Sequence, residues 1–271
     1  MVRLNSKGEV VHNAKFSGNI LDVLSNILAE ELERFDDDQD VYLLDPMAGV
    51  GGIMDIAYNH PNVLHTTMVE IEKEWADVAA SKVSYPHTMG RVFNADFLEW
   101  ATEQDMMDYD IVMTSPTYGN RMADSHTPGP NDKSVRNTYR HVLERPLTEG
   151  SSAGMQWGDE YRVFHEEAWA QVYNLLAPTG IFVLNVKDHI RKGVKQPVCA
   201  WHSRLCQNIG FTLTHYYEIP VKGNRQGENG EVRVDNEMVY VFRKPAMDLT
   251  KAALKWTQPK IRGIDRQGDA T

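Results

Sequence analysis

The chain contains four short segments whose side chains could take part in chemistry, and each follows a predicted strand. In chain order they are Asp45-Pro46-Met47-Ala48-Gly49-Val50-Gly51-Gly52, then Glu70, then Asp96-Phe97, and last Ser115-Pro116-Thr117-Tyr118. Ligands of open α/β sheets bind outside the carboxyl ends of the strands. We therefore expect the four segments to meet at one site.

The residue types in these segments favour a nucleoside ligand. Glycines between Asp45 and Gly52 would let a ligand approach the backbone closely. The acid Glu70 can bind ribose hydroxyls, and Asp96 can accept a hydrogen bond from an adenine amine. The first segment contains neither a G-x-x-x-x-G-K-[ST] motif nor a complete G-x-G-x-x-G motif. Phosphate is therefore not the expected ligand, and an adenosine without phosphates fits better.

The elements that must position these segments alternate between strand and helix. Apolar runs predict strands, and apolar residues at helical spacing predict helices. Strands are expected at 41–45, 64–72, around 91–94, 109–116, 180–186, 211–219 and 237–242, and helices at 19–34, after 52, at 73–83, near 160–176 and near 197–207. This order predicts a doubly wound α/β fold with a mostly parallel sheet. Only a loop separates the last two strands, which predicts an antiparallel strand near the C-terminus.

One domain is expected over residues 1–245, followed by an irregular tail over 246–271. Residues 119–158 show no clear periodicity and are rich in glycine, proline, asparagine, serine and threonine. Long segments of this kind are usually functional loops, so we expect a lid or a target-recognition region. Basic residues in this insertion could contact a phosphate backbone: Arg121, Lys133, Arg136, Arg140 and Arg145.

Composition limits the partners and the compartment. The formal net charge is -10, so a nucleic acid would have to bind at a local basic face. Further basic runs at 187–195 and 251–262 could form such a face or could be solvated surface, and solvated surface is favoured for the second run. Two cysteines, Cys199 and Cys206, suit neither a disulfide framework nor a zinc site, so we expect a cytoplasmic protein without a metal. No run approaches the roughly 18 apolar residues of a membrane helix, and no membrane association is expected.

The ordered set of segments resembles the S-adenosylmethionine-dependent methyltransferases that modify exocyclic amines of DNA bases. DPMAGVGG resembles their first motif, D-P-F/M-x-G-x-G, while MVEIEKEW and NADFLEW resemble their second and third. TSPTY resembles their catalytic [DNS]-P-P-[YFW] tetrapeptide, in the Ser-first form commonest among N4-cytosine enzymes. HNAKFSGNILDVL is similar to the segment that walls the methionine end of the cofactor. The resemblance covers about residues 10 to 245.

This resemblance implies a Rossmann-like class I methyltransferase fold and S-adenosylmethionine as cofactor. The residues implied to bind the cofactor are Lys15, Phe16, Asp45, Pro46, Met47, Ala48, Gly49, Gly51, Glu70, Ile71, Asp96, Phe97 and Ser115. Catalysis would rest on Ser115 and Pro116 as hydrogen-bond partners of the amine, with Tyr118 stacked on a base flipped out of duplex DNA. Further residues implied to contact the substrate are Asn120, Arg121, Arg136 and Arg140. The segment 151–158 could close over the base or pack under the loop, and the chain could form a homodimer.

The sequence departs from this family at Thr117, where a second proline is usual, and in having no large separate target-recognition domain. Methylation of carbon 5 of cytosine needs a thiol nucleophile, normally in a Pro-Cys pair. Cys199 follows Pro197-Val198 in a predicted helix, which does not suit that mechanism. Two alternatives stay open: a methyltransferase acting on an RNA amine or a protein glutamine, and a weakly catalytic nucleic-acid-binding protein of the same fold.

Overall fold

The computed structural model describes residues 16–36, 38–60, 65–83, 89–105, 109–119, 138–221 and 232–246. Within these ranges the strands are β1 (Tyr42–Asp45), β2 (His65–Glu70), β3 (Met89–Asn94), β4 (Tyr109–Thr114), β5 (Leu176–Val186), β6 (His189–Arg191), β7 (Val194–Gln196), β8 (Thr212–Pro220) and β9 (Asn236–Arg243). The helices are α1 (Gly18–Leu32), α2 (Gly52–Ala57), α3 (Lys73–Lys82), α4 (Phe97–Thr102), α5 (Tyr139–Leu143), α6 (Asp159–Leu175) and α7 (Val198–Ile209), and a 3-10 turn covers Ser152–Gly154.

Seven of these strands form one sheet in the order β3-β2-β1-β4-β5-β9-β8. The strands from β3 to β5 are parallel neighbours, whereas β9 runs antiparallel to both β5 and β8. The predicted α/β class, the mostly parallel sheet and the antiparallel strand near the C-terminus are confirmed. The direction of strand order reverses between β1 and β4, and such a switch point leaves a crevice at the carboxyl ends of the strands.

Helices cover both faces of the sheet because its central strands are apolar on both faces. Neighbouring residues of a strand point to opposite faces. Leu43 therefore packs in the layer that includes α1 and α2, while Leu44 packs in the layer that includes α4, α6 and α7. Strands buried on both faces have continuous apolar sequences, which is why the runs at β1 and β4 could be assigned from sequence.

The structure adds regular elements that the sequence pattern did not predict. Helices α4 and α5 contain six and five residues, and β6 and β7 contain three each, which is too short to show a period. The described part of the insertion, 138–158, is mostly without regular structure but contains the short helix α5 and the 3-10 turn. Tyr139 and Ala153 of this part pack against Val50 and Trp75. The second half of the insertion is therefore packed against the loop after β1 and against α3.

None of the helices in the described ranges combines the length and the apolar character needed to cross a bilayer. The same ranges contain no group of three or more His, Cys, Asp or Glu side chains arranged to hold a metal ion. Cys199 and Cys206 are free and buried. Burial raises the pKa of the Cys199 thiol, which keeps it protonated and makes it a poor nucleophile.

Candidate active site

The four segments singled out in the sequence meet at one cavity outside the carboxyl ends of β1, β2, β3 and β4. Its lining includes residues from each segment: Asp45, Pro46, Met47, Ala48, Gly49, Glu70, Ile71, Asp96, Phe97, Ser115, Pro116 and Thr117. Phe16, which precedes α1, lines the same cavity. The cavity lies at the switch point between β1 and β4, where ligands of open α/β sheets bind.

The loop after β1 turns through two glycines in the left-handed region, Gly49 at φ 53° and Gly51 at φ 72°. Gly51 does not line the cavity, although the sequence placed it among the cofactor-binding residues. A Cβ at Gly51 would lie 3.0 Å from the Cβ of Ala79, so the close contact made here is with α3. Gly52 lines the cavity instead, and its missing side chain leaves room for the ring of Phe16.

Glu70 joins the loops that follow β1 and β2. Its Oε2 accepts a hydrogen bond from the backbone N–H of Gly49 at 2.7 Å, and its Oε1 accepts one from the backbone N–H of Glu72 at 2.8 Å. Burial raises the pKa of Glu70 to about 7, and these two hydrogen bonds act in the opposite direction. A carboxylate oxygen can accept more than one hydrogen bond, so both oxygens retain capacity for ligand hydroxyls.

Asp45 joins the end of β1 to the end of β4. Its Oδ1 accepts hydrogen bonds from the backbone N–H of Met47 at 3.1 Å and from the hydroxyl of Thr114 at 2.7 Å. Burial raises the pKa of Asp45 to about 7. Since Thr114 directly precedes Ser115, the carboxyl group of Asp45 helps to fix the position of Ser115 relative to the loop after β1.

Asp96 caps the N-terminus of α4, where its Oδ1 accepts a hydrogen bond from the backbone N–H of Leu98 at 2.7 Å. The backbone of Gly150 approaches so closely that a Cβ there would lie 2.5 Å from Oδ2 of Asp96 and 3.6 Å from Cδ1 of Ile71. Gly150 lines the cavity together with Ser151, Ser152 and Ala153. The insertion therefore forms one wall of the cavity, beside the two residues expected to contact adenine.

A partly buried ion cluster holds this wall in place. The backbone N–H and the hydroxyl of Thr148 donate to Glu72 at 3.0 and 2.9 Å. Arg145 forms ion pairs with Glu72 at 2.8 Å and with Glu74. The guanidinium of Arg145 is bound by two carboxylates, and its expected contact with a phosphate backbone stays a prediction. Tyr139 also lines the cavity from α5 and was missed in the sequence, because a single tyrosine in an aperiodic segment carries no signal.

The tetrapeptide after β4 presents Ser115, Pro116 and Thr117 to the cavity. Thr117, in place of the usual second proline, makes two contacts: its hydroxyl lies 3.3 Å from that of Ser152, and its carbonyl accepts a hydrogen bond from Tyr161 at 2.9 Å. Tyr118 is not part of the lining. The stacking role expected of Tyr118 stays a prediction.

Tyr118 belongs to a hydrogen-bonded cluster with Ser115, Asn185 and Glu237. The Tyr118 hydroxyl lies 3.1 Å from Oγ of Ser115 and donates to Oε2 of Glu237 at 3.3 Å. The side-chain amide of Asn185 donates to Oγ of Ser115 at 3.2 Å and to the same Glu237 oxygen at 3.1 Å. Asn185 and Glu237 lie on β5 and β9, and no motif in the sequence marks them.

Four residues expected at the site lie outside the described residues: Lys15, Asn120, Arg121 and Arg136. Arg140 lies exposed on α5. Its neighbours Tyr139 and Leu143 are buried and fix the helix against the rest of the wall. The expected contacts of these residues with cofactor or substrate stay predictions.

No family model and no curated protein matches the chain. Among solved structures, it is similar to the CurJ carbon methyltransferase, with a TM-score of 0.51 and 14% identity over 86% of this chain and 56% of that one. It is also similar to a presumed class I S-adenosylmethionine-dependent methyltransferase from Listeria monocytogenes, with a TM-score of 0.52 and 13% identity over 89% of this chain and 64% of that one. The [4+2]-cyclase SpnF has a TM-score of 0.50 at 12% identity, over 88% of this chain and 85% of that one.

The chain spans less than two thirds of the length of the first two of these proteins. At identities of 12% to 14%, the similarity shows a shared fold and nothing more. The strand order, the parallel pairing and the antiparallel β9 agree with it. The protein has the Rossmann-like fold of the class I S-adenosylmethionine-dependent methyltransferases.

Proposed function

We propose that the protein is an S-adenosylmethionine-dependent methyltransferase that acts on an exocyclic amine of a DNA base, with N4 of cytosine ahead of N6 of adenine. One observation carries the proposal: the Ser115-Pro116-Thr117 segment lines the same cavity as Glu70 and Asp96. A segment resembling the catalytic tetrapeptide thus adjoins a set of nucleoside-binding groups. The fold alone would not be enough, because the cyclase SpnF shares it.

The lining of the cavity fits S-adenosylmethionine, which has a cationic sulfonium and no phosphate. Lys82 is the one basic residue among the described lining residues, and it donates to the carboxylate of Asp55 at 2.8 Å and to the carbonyl of Gly51 at 3.1 Å. This lysine is therefore engaged within the protein. Three further acidic residues of the lining favour a cationic ligand when they are ionised: Asp45, Glu70 and Asp96.

Each end of the cofactor has candidate partners. Glu70 would accept hydrogen bonds from the ribose hydroxyls, and Asp96 would accept one from the adenine amine. Ile71 and Phe97 would flank the adenine ring, and Phe16 would cover the methionine end. When bound, S-adenosylmethionine supplies an electrophilic methyl group on sulfur.

The hydrogen bonds around Ser115 leave one acceptor position free. Burial raises the pKa of Tyr118, so its hydroxyl keeps a proton, which it donates to Glu237. The Tyr118 oxygen must then accept from the hydroxyl of Ser115. Ser115 has two lone pairs, and Asn185 donates to one of them. The second lone pair of Ser115 remains available for an amine hydrogen at the cavity.

An exocyclic amine is a poor nucleophile because its lone pair is conjugated with the ring. Hydrogen bonds from the amine to Oγ of Ser115 and to the backbone carbonyl of Pro116 would orient its lone pair toward the methyl group. These bonds would strengthen as positive charge develops on nitrogen, so they would stabilise the transition state more than the bound substrate. The base must leave the duplex to reach the cavity, and Tyr118 is the aromatic residue expected to stack on it.

A methyl-transfer assay tests this function. The protein is incubated with tritium-labelled S-adenosylmethionine and, in separate reactions, with duplex DNA, tRNA and protein. Digestion to nucleosides and mass spectrometry should then find N4-methylcytosine or N6-methyladenine. Ser115→Ala should depress the transfer rate far more than the affinity for the cofactor. A product of 5-methylcytosine, label in RNA or protein alone, or no transfer to any substrate would contradict the proposal.

A further inference from the structure

Strands β6 and β7 form a basic hairpin that follows the carboxyl end of β5. Arg191 pairs with Val194, so Lys192 and Gly193 form a two-residue loop at its tip. Residues 187–196 contain four basic side chains and one acid, Asp188, in a chain whose net charge is -10. Lys192 is exposed, and the neighbouring Val194 is 61% exposed. The hairpin is therefore a locally positive, solvent-facing projection on an acidic protein.

The tip of the hairpin has an unusual residue for its backbone conformation. Lys192 has φ 51° and Gly193 has φ 74°. Two-residue loops with positive φ at both positions favour asparagine or glycine at the first position, because other side chains are strained there. Such strain tends to occur at functional positions. Lys192 thus adopts a backbone conformation that is disfavoured for residues other than glycine or asparagine.

Two chains of contacts connect the hairpin to the catalytic tetrapeptide. Arg191 donates to the carbonyl of Trp157 at 3.2 Å, and the backbone N–H of Trp157 donates to the carbonyl of Gly119, which directly follows Tyr118. At the base of the hairpin, Nζ of Lys187 lies 3.6 Å from Oε1 of Glu237. The other oxygen of Glu237 accepts the hydrogen bond from Tyr118.

The hairpin also lies at the carboxyl ends of the parallel strands, where the cavity opens. Strand β5 is parallel to β4, so both end at the edge where the cavity opens. Lys187 and Lys195 have carboxylate partners in Glu237 and Asp188. Arg191 and Lys192 have none among the described residues, so their charges are available to an external anion.

We propose that this hairpin contacts the phosphate backbone of the DNA duplex beside the flipped base, with Lys192 at the point of contact. The proposal rests on the proposed function, because it takes a nucleic acid as the substrate. The density of negative charge along a duplex complements the basic hairpin, and the connections through Trp157 and Glu237 to the tetrapeptide would place that duplex next to the cavity.

The test uses Lys192→Gly, which removes the positive charge and relieves the backbone strain at this position. Binding of a short fluorescein-labelled duplex DNA is followed by anisotropy between about 50 and 200 mM salt. The variant should bind DNA more weakly, and the slope of log affinity against log salt should be shallower by about 0.9, the contribution of one phosphate contact. Its thermal midpoint should be equal or higher, since glycine accepts a φ of 51°. Lys192→Arg should retain the wild-type slope.

Arg91→Ala is the matched control, because Arg91 is an exposed basic residue on β3, four strands away from β5 in the sheet. It should leave the slope unchanged. If the wild-type protein binds DNA and Lys192→Gly keeps its slope, or if Arg91→Ala lowers the slope equally, this inference fails and the proposed function stands. If the wild-type protein binds no duplex DNA, or prefers an RNA duplex of the same sequence, both fail.

Discussion

The hydroxyl of Tyr118 donates a hydrogen bond to Oε2 of Glu237, 3.3 Å away and 119 positions later in the chain. Asn185 donates to the same oxygen at 3.1 Å. The carboxylate of Glu237, on β9, therefore determines which groups donate hydrogen bonds in the loop after β4. This arrangement makes the Ser115 hydroxyl a donor to Tyr118, and in the proposed function the remaining lone pair of Ser115 would accept a hydrogen from the substrate amine.

Removing the Tyr118 hydroxyl should slow catalysis with little effect on binding. In Tyr118→Phe the Ser115 proton loses its acceptor and can turn toward the amine, where it would oppose the amine hydrogen. We expect kcat to fall by about 5-fold, the equivalent of one hydrogen bond of about 1 kcal/mol. KM should change little, because the ring is kept. Tyr118→Ala should also raise KM, since stacking on a base is worth about 1–3 kcal/mol. Steady-state methyl transfer gives both parameters.

Glu237 provides the control for this interpretation. Glu237→Ala should lower kcat as Tyr118→Phe does, and the double variant should be hardly slower than either single one, because both changes act through the same hydrogen bonds. Glu237→Gln keeps an acceptor for Tyr118 and should recover most of the rate. Fully additive losses would show that the two side chains act independently.

Cofactor affinity should depend on pH through Glu70. Burial raises the pKa of Glu70 to about 7, whereas ribose hydroxyls bind best to the ionised carboxylate. The affinity for S-adenosylmethionine should therefore rise by up to about 10-fold between about pH 6 and pH 8, as this group loses its proton. Titration calorimetry at several pH values measures the change. Glu70→Gln should bind more weakly and with a flat pH profile, whereas an unchanged profile would assign the pH dependence to another group.

The free energy of unfolding of the ligand-free protein should decrease as the pH rises, because of Glu70 and Asp45. This direction is opposite to that expected for the cofactor affinity. The pKa of Glu70 rises from 4.5, and that of Asp45 rises from 3.8, each to about 7 on folding. The native state therefore holds these protons more tightly than the unfolded chain. The resulting stabilisation is complete below about pH 4 and is lost as the pH rises through about 7. In thermal melts, Glu70→Gln and Asp45→Asn should each reduce this dependence relative to the wild-type protein.

Gly150→Ala should weaken cofactor binding. The added Cβ would lie 2.5 Å from Oδ2 of Asp96, and Gly150 has φ 86°, so either Asp96 or the wall must move. Gly154→Ala is the matched control in the same segment, because a Cβ there meets no atom within 4 Å. Calorimetry should show a lower affinity for the first variant alone. Equal affinities for the two variants would mean that the wall at Gly150 does not contact the cofactor.

Arg145→Ala should destabilise the fold. It leaves the buried carboxylate of Glu72 without its charged partner, and removal of one member of such a pair costs about 2–5 kcal/mol. Urea unfolding measures this loss. If the protein binds duplex DNA, the salt dependence of binding should be the same for this variant and the wild-type protein, because the guanidinium is already bound by Glu72 and Glu74. A shallower salt dependence with unchanged stability would instead support a contact of Arg145 with phosphate.

The sequence by itself determined the strand order along the chain and the residues at four strand ends. Runs such as that ending in Asp45 are apolar because both faces of the strand are buried, and this pattern is local. Given alternating strands and helices, the carboxyl ends of parallel strands must lie at one edge. For that reason the sequence alone assigns Glu70, Asp96 and Ser115 to one site.

Only the tertiary structure decided which residues complete that site. Asn185 and Glu237 reach Ser115 from strands far along the chain, and Gly150 meets Asp96 from a segment without periodicity. The hairpin of Lys192 is likewise too short to show a strand pattern. Hydrogen bonds and packing across the sheet join residues whose separation in sequence carries no regular spacing. A local pattern can identify the residues that end a strand, but it contains no information about the side chains that later strands bring beside them.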